Sequence, residues 1–295
     1  MRSQDLDVLI QAQQWLNAGE QPWLCTVVQT IGSSPRPAGS LLAVCNSQLI
    51  GSLSGGCVEE DLLEKLASGA FNGQAPELCQ YGLNAEDNER LGLPCGGSMK
   101  VLIEQITPSN AQWIGQVTTT INARQRVVRE VCLPTGATSL HPATTFEPLS
   151  LSNNQMRQCF GPRTRLLLVG AGQLAQTLSS LALAMDYEVV VTDPREQLIN
   201  DWTGPPVEKI LGLPDEVILQ QQVDADTAII TLSHDPRIDD MALLEALESK
   251  AWYVGALGSV RTSDTRRERL QSLGLSDAAI ARLHAPVGLN IGSKT

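Results

Sequence analysis

The chain is poor in aromatic residues and in histidine. Phe, Trp and Tyr make up 4% of its 295 residues, which argues against a platform on which nucleic-acid bases stack. There are three histidines and seven cysteines but no Cys-x-x-Cys pair, so a zinc site is not indicated. The net charge is −11 and the pI is near 4.8, the opposite sign from a protein that binds by neutralising phosphates. An anionic ligand must therefore be held by a local cluster of arginines and backbone amides.

Long apolar segments are also missing. The opening residues, MRSQD, do not lead into the apolar stretch of a signal peptide. No apolar run approaches the roughly 18 residues that a membrane span requires. We therefore expect a cytoplasmic protein with reduced thiols and neither a membrane nor a nucleic-acid partner. The length suits two domains.

The first 160 residues predict a mixed α/β domain. Apolar residues recur at helical spacing over residues 4–18, and a second helix is expected after Gly56, with acidic residues in its first turn. Strand-like runs lie at Trp23–Ile31, Leu41–Cys45, Gln48–Leu53 and Lys100–Ile106. After residue 107 the pattern weakens. Residues 134–162 are rich in Pro, Thr, Ser and Asn, and we interpret them as a connection with room for one extended segment. The predicted N-terminal domain is 1–160, including this linker.

From residue 161 to 295, strands and helices alternate. Arg165–Val169 is a continuous apolar run, typical of a parallel strand covered on both faces. Further strands are expected at Tyr187–Thr192, Asp226–Leu232 and Ala251–Gly255, with helices between them. This alternation predicts a Rossmann-like domain with a doubly wound parallel sheet.

The first turn of this second domain carries a phosphate-binding signature. Gly170, Gly172 and Ala175 have the spacing of the dinucleotide fingerprint, directly after a strand and at the start of a helix. Gly172 would let a phosphate approach the backbone at the N-terminus of that helix. The alternative is that these glycines serve only the packing of helix against strand.

Other loops at strand carboxyl ends are expected to converge on the same crevice. Asp193 ends the next strand, where an acid can hold a ribose hydroxyl, whereas Arg195 beside it can accept an extra phosphate. His234 and Asp235 follow a later strand, and His234 is either a proton shuttle, a ligand contact or a structural residue. Four arginines between residues 261 and 269 form either an anion-binding rim or, as we favour for most of them, a solvated basic helix face.

Two cysteines adjoin pairs of glycines, in the runs Gly55-Gly56-Cys57 and Cys95-Gly96-Gly97. A bare Gly-Gly backbone can bring several N–H groups close to an anion, and a thiolate is itself an anion. Cys57 stands at a predicted helix start, where the helix dipole should lower the pKa of its thiol. We expect both thiols to approach one cleft that faces the crevice of the second domain. The alternative is two tight turns with incidental thiols.

Several longer segments are specific enough to compare with known families. The N-terminal half contains SSPRPAG, LIGSLSGGCVEEDLLE and GLPCGG. The C-terminal half contains LLLVGAGQLA, VVVTDPR, ITLSHDPRIDD, YVGALGSVRT and HAPVGLNIGSKT. Taken together, these segments resemble the XdhC/CoxI family, xanthine dehydrogenase accessory factors that handle the molybdenum cofactor. The resemblance covers nearly the whole chain apart from residues 107–160.

The resemblance implies a chaperone that binds the molybdenum cofactor (molybdopterin), helps it acquire sulfur from a cysteine desulfurase and delivers it to a xanthine dehydrogenase-type molybdenum hydroxylase. By position, Cys57 and Cys95 would be the catalytic thiols near the cofactor. The other expected cofactor contacts are Arg36, Gly55, Gly56, Gly96, Gly97, Gly170, Gly172, Gln173, Asp193, Arg195, His234 and Asp235. A homodimer is also expected.

Two positions depart from the family pattern. Gln173 stands where members often carry His, and Pro94 stands where Gly is common before the cysteine. Members also usually continue into a final helix beyond the position of Thr295.

Two other functions stay open. A NAD(P)-dependent oxidoreductase shares the fingerprint but needs a placed acid or base, and none can be named. A nucleotide-sensing regulatory protein needs only a nucleotide at the glycine loop. We expect no turnover of the protein's own.

Overall fold

The computed structural model describes residues 4–32, 36–71, 74–82, 97–289 and 292, with Cys57 described by its backbone alone. The chain divides into two compact units, Arg2–Pro162 and Arg163–Thr295. Each unit has buried apolar clusters of its own. None of the helices in the described part of the chain has the length and hydropathy that crossing a membrane requires.

The N-terminal unit contains two antiparallel sheets. Its described helices are α1 (Gln4–Asn17), α2 (Cys57–Ala67) and α3 (Gln112–Asn122). Its described strands are β1 (Trp23–Ile31), β2 (Leu41–Cys45), β3 (Gln48–Gly51), β4 (Glu77–Tyr81), β5 (Ser98–Gln105), β6 (Arg126–Cys132), β7 (Thr138–Ala143), β8 (Ser150–Leu151) and β9 (Gln155–Phe160). One sheet has the order β3-β2-β1-β5-β4 and the other β7-β6-β9-β8.

Both faces of the five-stranded sheet are covered. On one face, Val58 and Leu62 of α2 pack against the sheet. On the other face lie α1, α3 and the second sheet. A buried ion pair joins the two sheets, because Arg129 of β6 donates two hydrogen bonds, of 3.0 and 2.6 Å, to Glu104 of β5. The same guanidinium lies 3.7 Å from the centre of the Trp113 ring.

The interpretation of residues 134–162 as a connection is wrong. They form β7, β8 and β9, and β9 pairs along its whole length with β6. The reason lies in the alternation of β9, where Met156, Gln158 and Phe160 are buried. Because a polar glutamine stands at one of the buried positions, the sequence does not show the alternation of apolar and polar residues that predicts a strand. The buried glutamine is tolerated because its amide donates to the carbonyl of Gly39 at 2.8 Å.

The C-terminal unit is a doubly wound parallel sheet, as the sequence predicts. Its strands are β10 (Arg165–Val169), β11 (Glu188–Asp193), β12 (Glu208–Leu211), β13 (Thr227–Thr231), β14 (Tyr253–Ala256) and β15 (Leu283–His284). Its helices are α4 (Gln173–Ala184), α5 (Glu196–Asn200), α6 (Pro214–Gln220), α7 (Pro236–Glu248), α8 (Val260–Ser272) and α9 (Asp277–Ile280). The strand order is β12-β11-β10-β13-β14-β15, with parallel pairing throughout. The winding direction reverses between β10 and β13, and such a switch point is where open α/β sheets bind ligands.

Candidate functional site

The glycine loop joins β10 to α4 at this switch point. Gly170 has a φ of +110°, and a Cβ there would lie 2.7 Å from the Cα of Ser233, so the position requires glycine. Gly172 is the N-cap of α4, and a Cβ there would meet nothing within 4 Å. Among the described residues, no side chain caps α4 and its first turn holds no acid. The first amides of α4 therefore have no capping side chain among the described residues, an arrangement that suits a phosphate.

Asp193 holds the glycine loop through a hydrogen bond from the Ala171 amide. It is fully buried at the end of β11. Its Oδ2 accepts hydrogen bonds from the Ala171 amide and from Arg195 Nη2, both at 2.8 Å. Its Oδ1 accepts from the Arg195 amide at 2.9 Å and from Arg195 Nε at 2.8 Å. Burial would raise the pKa of Asp193, but the bonds from Arg195 and Ala171 hold it below its usual value. In this geometry Asp193 offers no free acceptor to a ribose hydroxyl.

Two Asp-Pro-Arg motifs follow the strands on either side of β10. In the first, the Arg195 side chain is 40% exposed above Asp193, and its Nη2 lies 3.4 Å from the carbonyl of Ser233. In the second, Asp235 accepts from the Arg237 amide at 2.9 Å, from Nε at 3.1 Å and from Nη2 at 2.8 Å. The bonding is the same, but Arg237 is 89% exposed.

A buried network fixes the loop after β13. Asp239 Oδ1 accepts from the amide and hydroxyl of Ser233, at 3.1 and 2.6 Å. Arg266 donates to Asp239 Oδ2 at 3.0 Å and to the Leu257 carbonyl, which follows β14, at 2.9 Å. Burial raises the pKa of Asp239 above its usual value, against the bonds from Ser233 and the charge of Arg266. Because Gly170 packs on Ser233, the network also supports the glycine loop.

The four arginines of α8 do not form one face. Arg266 is buried in this network, and Arg269 pairs with Asp240 at 2.7 Å. Arg267 donates to the Ala285 carbonyl at 2.9 Å, whereas Arg261 is exposed. The interpretation of a solvated basic face is therefore wrong for Arg266.

The remaining predicted residues of this unit lie in the loop after β13 and at the start of α4. His234 is exposed at the loop tip with a left-handed φ of +61°. Asp235 caps the N-terminus of α7, and its amide donates to the Ser233 hydroxyl at 3.1 Å. Gln173, the first residue of α4, is exposed. The structure thus brings the loops after β10, β11 and β13 together.

An apolar groove of about 580 Å³ adjoins the glycine loop. It begins at Leu174 in the first turn of α4 and at Leu232 and Leu257, which follow β13 and β14. Along its length it is lined by Leu178, Leu181, Met185, Trp252 and Tyr253. The polar amides at the start of α4 therefore lie next to an apolar surface that water solvates poorly.

In the N-terminal unit, the loop before α2 wraps around the carboxylate of Glu59. The donors are the amides of Leu53, Ser54, Gly55 and Gly56, at 2.8–3.0 Å, and the hydroxyls of Ser52 and Ser54. Burial would raise the pKa of Glu59, but the bonds from Ser54, Gly55 and Gly56 outweigh it and lower the pKa to about 2. The anion that meets the Gly-Gly amides of this loop is Glu59. Sequence reasoning missed this role, although an acid three residues after an N-cap is a known signal.

The two predicted thiols are only partly within the described structure. Cys57 is the first residue of α2, and its side chain is not described. The pair Cys95-Gly96 lies outside the described residues. Gly97 is buried, and a Cβ on Gly32 would lie 3.3 Å from its Cα. Gly97 therefore packs against the start of the loop that carries the half-buried Arg36. A cleft shared by both thiols stays a prediction. Among the described residues, no three His, Cys, Asp or Glu side chains form a group that could hold a metal ion.

Known proteins resemble both units. Residues 166–295 match the family model described as the XdhC Rossmann domain, and residues 15–82 match that of the XdhC and CoxI family. The molybdenum cofactor insertion chaperone PaoD of Escherichia coli is 30% identical over 290 residues, covering 93% of this chain and 78% of that protein. A Bacillus subtilis protein described as a probable xanthine dehydrogenase subunit is 27% identical, covering 98% of this chain and 91% of that protein.

A solved structure shares the fold. A crystal structure from Bacillus halodurans, described as a xanthine dehydrogenase, has a TM-score of 0.78 to this chain at 23% identity. The match covers 99% of this chain and 91% of that one.

Proposed function

This chain belongs to the XdhC and CoxI family, and from that premise we propose that it binds the molybdenum cofactor and delivers it to a xanthine dehydrogenase-type molybdenum hydroxylase. The relative named as a molybdenum cofactor insertion chaperone supports this, because the similarity runs over 93% of the chain. The proposal extends to sulfuration of the cofactor with a cysteine desulfurase as sulfur source, and to a cytoplasmic homodimer.

The observation that carries the proposal is the uncapped N-terminus of α4. The cofactor is a pterin dithiolene with a terminal phosphate, and here it is cargo. A phosphate placed at Gly172 and Gln173 would be met by amide N–H groups without a competing carboxylate in the first turn. Gly170 and Asp193 hold the loop in that shape from both sides.

The groove beside the loop supports the same function. An oxygen-sensitive dithiolene needs a carrier that limits its contact with water. The apolar wall that starts at Leu174 supplies such an environment next to the phosphate position. Within the N-terminal unit, Cys57 and Cys95 are proposed as soft ligands for molybdenum, with Arg36 and the adjoining glycines as further contacts.

Pterin analysis tests cofactor binding. The protein is purified from cells that make the cofactor, denatured and oxidised, and the extract is examined for pterin fluorescence. We expect fluorescence above that of protein from cells unable to make the cofactor. Equal signals from the two preparations would overturn the proposal.

Sulfuration and insertion are separated by a second experiment. The activity of the molybdenum hydroxylase is measured in cells with and without this chain, and again after chemical treatment of the purified hydroxylase with sulfide. Activity regained on sulfide treatment indicates that the chain acts in sulfuration. Inactive hydroxylase without bound pterin indicates that it acts in insertion. Full activity without the chain contradicts both roles.

A further inference from the structure

Asp193 occupies the position at which dinucleotide-binding proteins use an acid to hold a ribose diol. Such an acid must offer free oxygen lone pairs. A carboxylate has about four lone-pair sites. Asp193 already accepts four hydrogen bonds, from the Ala171 amide and from the amide, Nε and Nη2 of Arg195. Contact with a diol would leave the buried amide of Ala171 or the guanidinium without a partner, which costs about 1–3 kcal/mol.

Exposure distinguishes the two members of the pair. Asp193 has no exposed surface, whereas the Arg195 side chain is 40% exposed. Contact with Asp193 raises the pKa of Arg195 further, so the guanidinium stays charged. Nε and Nη2 of Arg195 already donate to Asp193. A ligand at this position therefore meets the remaining N–H donors of a cation, which match phosphate better than they match a neutral diol.

We propose that the crevice recognises its ligand here through Arg195, as a negatively charged group, and that Asp193 is a positioning residue that shapes the glycine loop. The ligand class is a phosphate ester whose recognition does not depend on a ribose diol. This rests on the proposed function, since both place a phosphate at the N-terminus of α4. It also argues against a NAD-dependent enzyme.

Three probes test the inference on the full chain by isothermal titration calorimetry: AMP, 2′,3′-dideoxy-AMP and adenosine 2′,5′-bisphosphate. We expect AMP and its dideoxy analogue to bind within about twofold of each other, because no group reads the diol, and the bisphosphate to bind about tenfold more tightly. A dideoxy analogue weaker by about tenfold or more would overturn the inference. So would the absence of binding by all three at about 10 mM, because the phosphate contact is common to them.

Two arginine variants provide a matched pair. Arg195→Gln should abolish the preference for the bisphosphate. Arg237→Gln removes the arginine of the second Asp-Pro-Arg motif, which has the same bonding to its aspartate, and should leave all three affinities unchanged. A preference that survives in Arg195→Gln, or that disappears equally in both variants, contradicts the assignment to Arg195.

Asp193→Asn separates positioning from recognition. If Asp193 is a positioning residue, the substitution should change the affinities for AMP and dideoxy-AMP by the same factor, because both probes bind to the same loop. Weakening of AMP alone would show that Asp193 reads the ribose. Retention of pterin is measured separately. If the protein retains pterin but binds AMP more tightly than dideoxy-AMP, only this inference is overturned. If the protein binds the three probes as expected but retains no pterin, only the proposed function is overturned.

Discussion

The carboxylate of Glu59 accepts a hydrogen bond of 2.8 Å from the amide of Gly55. The contact belongs to a set in which the third residue of α2 draws the preceding loop around itself. The amides of the Gly-Gly pair that precedes α2 are therefore already bound to a carboxylate of this chain.

Glu59→Gln should lower the free energy of unfolding of the N-terminal unit by about 2 kcal/mol, because several hydrogen bonds to a charged acceptor are weakened or lost. The measurement is urea unfolding at neutral pH. Glu60→Gln is the matched control, since Glu60 is the exposed neighbour in the same turn. Equal stability of the Glu59→Gln protein and the wild type would show that the loop keeps its shape without this carboxylate.

The stability difference between wild type and Glu59→Gln should depend on pH. The pKa of Glu59 is lowered on folding from 4.5 to about 2. The unfolded state therefore binds the proton more readily, and the stabilisation is fully present above about pH 5 and lost as the pH falls toward about 2. Unfolding curves collected across this range should converge at the acidic end. A difference that stays constant over the range contradicts the lowered pKa.

Two glycines of one loop should respond differently to substitution. Gly172→Val should fold, because a side chain there has open space, but it should block the approach of a phosphate and reduce retained pterin severalfold. Gly170→Val should lower stability by more than about 2 kcal/mol, because its positive φ and the Ser233 backbone exclude a side chain. Thermal unfolding and pterin fluorescence measure the two effects. Unchanged pterin retention in folded Gly172→Val counts against the phosphate site.

Arg266→Met should lower the stability of the C-terminal unit by about 3–5 kcal/mol, because it leaves Asp239 buried without its cation and removes one of the two arginines that pair with Asp240. Arg261→Met, at an exposed position of the same helix, should change stability by less than about 0.5 kcal/mol. Urea unfolding compares the two variants. Similar stabilities would mean that the network does not hold the loops after β13 and β14.

The sequence predicts what is local and misses what is distant. Arg165–Val169 and Gly170 were identifiable because an apolar run, a glycine spacing and a following helix are adjacent in the chain. The ion pair of Asp239 with Arg266 and the partner of Gln158 were not, because Arg266 lies 27 residues away from Asp239 and the carbonyl that accepts from Gln158 lies 119 residues away. Local patterns carry no information about such contacts.

The site shows the same division. The position of Asp193 at a strand end follows from the spacing, but its bond to the amide of Ala171 depends on how two strands and a loop pack. The spacing therefore locates the residue without revealing that its acceptors are filled. For Glu59 the necessary information is local, since its partners lie within seven residues and an acid three residues after the N-cap Gly56 is itself a capping signal.

The protein should show no steady hydride transfer from NADH or NADPH to small acceptors. The carboxylates described in the crevice are each paired with arginine, as Asp193 is with Arg195 and Asp235 with Arg237, so none is free to act as a general acid or base. Nicotinamide absorbance measures the rate. Turnover of about 1 per second or faster, removed by a substitution in the glycine loop, would establish an oxidoreductase instead.

Serine at Cys57 or Cys95 should leave folding nearly intact but impair retention of the cofactor or sulfuration of the hydroxylase. A thiolate at either position can ligate molybdenum, or can attack a desulfurase persulfide so that the outer sulfur transfers and the desulfurase thiolate leaves. A serine hydroxyl does neither. Cys132→Ser is the control, because it alters a half-buried thiol of β6 in the same unit. Hydroxylase activity and retained pterin are measured in cells carrying each variant. If Cys57→Ser and Cys95→Ser both behave as Cys132→Ser does, the two glycine pairs serve only their turns. For Gly55 and Gly56, that role is the closure of the Ser54–Gly56 segment around Glu59.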